Sequence, residues 1–72
     1  MARNWDAEWH SLIGTEREAF EEMLAAQAEL TKVFARYDKP DTAMLDNADA
    51  ARARWKSAQS AIDKFLDDFR KS

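Results

Sequence analysis

Residues 44–69 read MLDNADAARARWKSAQSAIDKFLDDF, and in them Met44, Ala48, Ala51, Trp55, Ala58, Ile62, Phe65 and Phe69 follow at alternating steps of four and three. That spacing is the apolar seam of a helix lying along another helix. The same alternation runs upstream through Leu12, Glu16, Ala19, Met23, Ala26, Leu30, Val33 and Tyr37. Between the two runs lie Asp38, Lys39, Pro40 and Asp41. Pro40 cannot continue a helix and turns the residue before it away from helical geometry. The fold class predicted is all-α: a two-helix antiparallel hairpin, with helices over about 5–38 and 42–70. It forms a single helical-hairpin domain over residues 1–72.

Folding the chain at its turn sets Leu30 against Ala51, a register in which facing residue numbers sum to 81. The same register sets Val33 against Ala48, Ala26 against Trp55, Met23 against Ala58 and Ala19 against Ile62. It also pairs Tyr37 with Met44, Glu16 with Phe65 and Leu12 with Phe69. Leu30, Trp55, Met23 and Ile62 then each meet an alanine, on alternating sides, as close packing favours. Trp9 reaches only Ser72 in this register, and Trp5 lies beyond the paired length.

The first helix carries more apolar surface than one neighbour covers. Its seam is joined by a second stripe, Ile13, Phe20, Leu24 and Phe34, and together they span about half the helix circumference. Leu45 and Leu66 add a smaller excess on the second helix. A 72-residue chain buries only ~60% of the surface its unfolded form exposes. Without cysteine no disulfide or thiolate metal site offsets that shortfall. The expected remedy is self-association: a homo-oligomer, first a dimer closing into a four-helix bundle with the second stripe at its interface.

Composition narrows the partners. The net charge of −3 and a pI near 5.0 argue against nucleic acid, whose phosphates call for a basic face. The first 39 residues hold five Lys and Arg against eight Asp and Glu; the rest hold six against six. No apolar run reaches membrane-spanning length and no signal-peptide pattern appears, so Met1-Ala2-Arg3-Asn4-Trp5 reads as mature sequence. The expected location is cytoplasmic, with export lacking a cleavable signal as the alternative.

Local signals mark the helix ends. Asn4 is the expected N-cap of the first helix, ahead of Asp6 and Glu8. Asp41 or Thr42 caps the second, with a later start near Asp46 as the alternative. Arg70 and Lys71 suit its C-terminal end. Gly14, followed by the Thr15–Glu18 capping-box spacing, is either a hinge for an N-terminal arm or a close-approach point in a continuous helix. The continuous helix is the favoured reading.

Few residues point to chemistry. His10 is the single histidine, with no cysteine or second histidine beside it, and reads as a partly exposed surface residue. Glu16, Glu18, Glu21, Glu22 and Glu29 make an acidic ridge without the Glu-x-x-His motif of di-iron bundles. Glu16 intrudes on the seam, to be relieved by Lys64 or Arg17, by snorkelling, or as a polar layer. One glycine leaves nowhere to build a phosphate cradle, and no nucleophile–base pair or zinc spacing occurs. The expectation is a non-enzymatic protein–protein interaction module without cofactor or metal. Its contact residues would be Trp5, Trp9, Ile13, Phe20, Leu24 and Phe34. The N-terminal aromatic arm, with Trp5 and Trp9, is the candidate site for an outside protein partner.

In layout alone, a short helical hairpin with a Pro-Asp turn is similar to the needle subunits of bacterial type III secretion systems. This chain has Pro40-Asp41 and lacks their second proline. The likeness implies a rival to the closed dimer, an open helical polymer. A second rival is a small inhibitor that lays its acidic ridge on a basic target.

Overall fold

The computed structural model describes residues 3–72; Met1 and Ala2, read above as the start of mature sequence, lie outside the described residues. Two helices, α1 (Trp5–Ala35) and α2 (Thr42–Lys71), pair along their lengths as a hairpin. Asn4 caps α1, its side chain accepting from the Ala7 N–H at 3.0 Å. Asp41 caps α2 by accepting from the Met44 N–H at 2.8 Å, so α2 does not wait until Asp46 to begin.

α1 ends earlier than the seam suggests. Tyr37 adopts φ 58°, its N–H donates to the Phe34 carbonyl at 3.0 Å, and the Asp38 N–H donates to the Val33 carbonyl at 3.1 Å. This pair of bonds is a Schellman closure, which satisfies the last carbonyls of a helix and usually has glycine where Tyr37 stands. Tyr37 is therefore fully exposed at the tip, not the last residue of the seam. Gly14 lies within an unbroken α1. A Cβ built there meets nothing within 4 Å, so no close approach requires the glycine.

The core is thin and rich in alanine. Ala19, Met23, Ala26, Ala48, Ala51, Ala58 and Phe65 are buried. Met23, Ala26, Ala48 and Ala51 form one cluster, with Leu30 and Trp55 packed against it. All belong to the predicted seams, but their pairing is displaced by one heptad. Trp9 meets Phe65 and Trp5 meets Phe69, pairs summing to 74; Phe20 with Trp55 sums to 75 and Glu22 with Arg54 to 76. The expected sum of 81 is overturned.

The physical reason lies at the open end. A seam that repeats every seven residues fits itself again after a slip of about 10 Å, one heptad at 1.5 Å per residue. The early stop at Ala35 allows the slip, and the slip brings Trp5 and Trp9 onto Phe65 and Phe69 instead of leaving them past the end of α2. Partial burial of this aromatic surface favours that arrangement by roughly 1 kcal/mol per side chain. It also turns Trp55 toward Glu16, away from an isolated pairing with Ala26.

The result is a rod, 56 × 16 × 15 Å. It exposes 5721 Å², whereas a compact monomer of 8.3 kDa exposes ~4,600 Å².

Candidate functional site

The two flanks of the helix pair differ in chemistry. One is polar: Glu8, Glu18, Glu22 and Glu29 of α1 line it together with Asn47, Arg54, Lys64 and Asp68 of α2. Ion pairs cross it between Glu22 and Arg54 at 3.1 Å and between Arg3 and Asp68 at 3.5 Å. The acidic ridge is thus partly engaged already: Arg54 holds Glu22, and Lys32 lies 3.5 Å from Glu29.

The other flank is apolar. On α1, the residues just outside the seam on this side are Ile13, Phe20 and Phe34, at heptad spacing, with Leu24 beside them. On α2 they are Leu45 and Leu66. Phe20 (37% exposed), Leu24 (46%), Phe34 (59%), Leu45 (44%) and Leu66 (37%) all present surface to solvent, and Ile13 is half-buried. The excess apolar width expected on α1 is real. The helix pairing leaves it bare.

At the open end this flank becomes a shallow cleft of about 360 Å³, lined by Trp5, Asp6, Trp9, Phe65, Leu66 and Phe69. Its wall is an aromatic lattice. Trp5 stands edge-on to Phe65 and Phe69, each with ring centres 5.4 Å apart, and Trp9 lies 5.7 Å from Phe65. Edge and offset contacts of this kind suit the ring quadrupoles and fix ring orientation. Arg3 braces the lattice with its guanidinium 4.0 Å over the Trp5 ring, itself held by Glu8 and Asp68. Arg3 donates a hydrogen bond to Glu8, which together with Asp68 raises the Arg3 pKa above its ordinary value; a guanidinium is charged at any ordinary pH, so the cation over Trp5 persists.

Trp5 and Trp9 are therefore within the paired length, contrary to the sequence expectation. They are half-buried against α2, not a free arm. The sequence signal that would have found this was available: Phe65 and Phe69 repeat the four-residue step of Trp5 and Trp9 in reverse order. Midway along the rod Trp55 lies 5.5 Å from Phe20 and its indole Nε1–H donates to Glu16 Oε1 at 3.0 Å. The partner of Glu16 is thus the Trp55 indole, rather than Lys64 or Arg17, the charged partners that stand beside snorkelling and a polar layer among the sequence alternatives.

His10 is exposed, with Nε2 3.5 Å from an Asp6 carboxylate one helical turn away, a spacing in which side chains do face each other. Among the described residues, no three His, Asp or Glu side chains come together to hold a metal ion, and no helix is long and apolar enough to cross a membrane. Comparison of the chain with protein-family models, with curated proteins and with solved structures gives no match.

Proposed function

We propose that this chain is a non-enzymatic protein–protein interaction module, cytoplasmic, that works as a homo-oligomeric helical hairpin. The form favoured is a dimer that closes into a four-helix bundle over the apolar flank. One observation carries the reading. Phe20, Leu24, Phe34, Leu45 and Leu66 leave large apolar surface exposed on one flank, beside the half-buried Ile13, with polar side chains such as Gln59 between them. The large exposed side chains among them lie on one flank of a rod, the arrangement that marks an interaction surface rather than scattered surface leucines. The opposite flank, with its ion pairs and glutamates, stays in water.

Sedimentation or light scattering tests this directly. The wild-type protein is expected at twice 8.3 kDa, with a mass that stays constant as concentration rises. Phe20→Glu places a carboxylate in the interface, where burying it unpaired is costly. That variant is expected to run as a monomer with reduced helicity. A wild-type protein that is monomeric and fully helical at all concentrations overturns the reading, as does a Phe20→Glu dimer with an unchanged circular dichroism spectrum.

A further inference from the structure

We infer that the second copy lies antiparallel along the apolar flank, so that the tip of each hairpin fills the aromatic cleft at the open end of the other. This rests on the dimer reading and adds its geometry. The two poles of the apolar flank differ: the open end has a shallow cleft and the tip presents exposed side chains. At the open end Trp5, Trp9, Leu66 and Phe69 line the cleft of about 360 Å³. At the tip Phe34, Leu45 and Tyr37 stand out, 59%, 44% and 100% exposed. Between the poles the flank is interrupted by Gln27, Arg52 and Gln59. Parallel pairing sets cleft on cleft and tip on tip, leaving both clefts empty. Antiparallel pairing about a two-fold axis seats a tip in a cleft at each end and closes the assembly.

Area limits how two rods can pair. A stable pair buries ~800 Å² on each partner. By the outline of its backbone, a flank of the rod 56 Å long and 16 Å wide has a footprint of about 900 Å², whereas an end 16 by 15 Å has a footprint of only about 240 Å². End-to-end stacking is too small to hold, and a half-length overlap falls short. Only full-length, side-by-side pairing reaches the size required.

Charge selects the face. Two copies meeting through the polar flank would crowd Glu8, Glu18, Glu22 and Glu29 of each, offset only in part by Arg54 and Lys64, while the apolar flank carries fewer carboxylates, Asp6, Glu16 and Asp63. Tyr37 takes its φ of 58° from the closure that ends α1. Held there, Tyr37 projects wholly from the tip, as a plug for a cleft must.

The chain has no cysteine, so single spin labels can be placed cleanly. Lys39→Cys marks the tip and Lys71→Cys the open end, both exposed. In the antiparallel dimer, two Lys39→Cys labels lie apart by close to the 56 Å length of the rod. Mixed dimers of Lys39→Cys with Lys71→Cys bring tip and open end within the width of the pair. Tyr37→Ala is expected to weaken the dimer at least tenfold with helix content unchanged. A short Lys39–Lys39 distance overturns the antiparallel arrangement and leaves the dimer standing. A mass that keeps growing with concentration overturns the closed pairing. Absence of any intermolecular distance in a protein that remains monomeric overturns the dimer itself, and this inference with it.

Discussion

Tyr37 shows how one residue closes a helix at a cost to its own backbone. In a left-handed setting an L side chain crowds the following carbonyl by roughly 1–2 kcal/mol, and glycine avoids that crowding. Replacing Tyr37 with alanine and with glycine isolates the effect, because both remove the ring and only glycine relaxes the backbone. Tyr37→Gly is expected to exceed Tyr37→Ala in stability by about 1 kcal/mol. For a domain of this size that appears as a melting temperature higher by about 4–8 °C. Equal melting temperatures would mean that Tyr37 is not left-handed in solution. Glu16 teaches the complementary lesson. Its conflict with the seam is plain in the sequence, but its partner is not, because an indole 39 positions away comes within reach only once the register is fixed.

At the scale of elements, the two helices and their caps follow from local rules and are legible in the chain. Asn4 and Asp41 cap as their side chains dictate, the seams bury Met23, Ala26, Ala48 and Ala51, and Pro40 marks the turn. Register is not legible in the same way. A heptad seam offers equivalent fits seven residues apart, and matching large against small side chains chose between them wrongly. The choice is made by the early stop of α1 at Ala35 and by the aromatic contacts at the far end, neither of which the periodicity contains. The apolar stripe of the candidate site was readable for the same reason as the seam, its heptad spacing; the cleft was not, since it exists only in the shifted register. Engineered disulfides distinguish the two registers. Ala26→Cys with Ala48→Cys joins two buried alanines of one cluster and is expected to oxidise readily to an intrachain bridge. Val33→Cys with Ala48→Cys, the pair of the other register, lies about one heptad, ~10 Å, out of step, beyond the ~7 Å Cα separation that a disulfide spans. Easy closure of the second pair and not the first would restore the sum of 81.

For the whole molecule, the deciding fact is how little interior it has. Among the described residues, Met23 and Phe65 are the only large side chains that are buried; the other buried residues are alanines. A fold of this length has roughly 4–11 kcal/mol in hand at the usual 0.05–0.15 kcal/mol per residue. The aromatic lattice at the open end is therefore a substantial share of what holds the hairpin shut, with the half-buried Trp5 and Trp9 each contributing on the order of 1 kcal/mol or more. This bears on whether those tryptophans serve an outside partner alone or the fold itself. Replacing both with alanine bares Phe65 and Phe69, removes the ring under Arg3 and empties the cleft wall. The double variant Trp5→Ala/Trp9→Ala is expected to lose its cooperative thermal transition, with the helical signal falling gradually from low temperature. Trp9→Ala alone should retain a transition at a lowered midpoint. If instead the double variant melts within a few degrees of wild type and keeps its oligomeric state, the tryptophans contribute nothing to closing the rod. They would then be free for a partner outside the chain, as a register that left them beyond the end of α2 would have them.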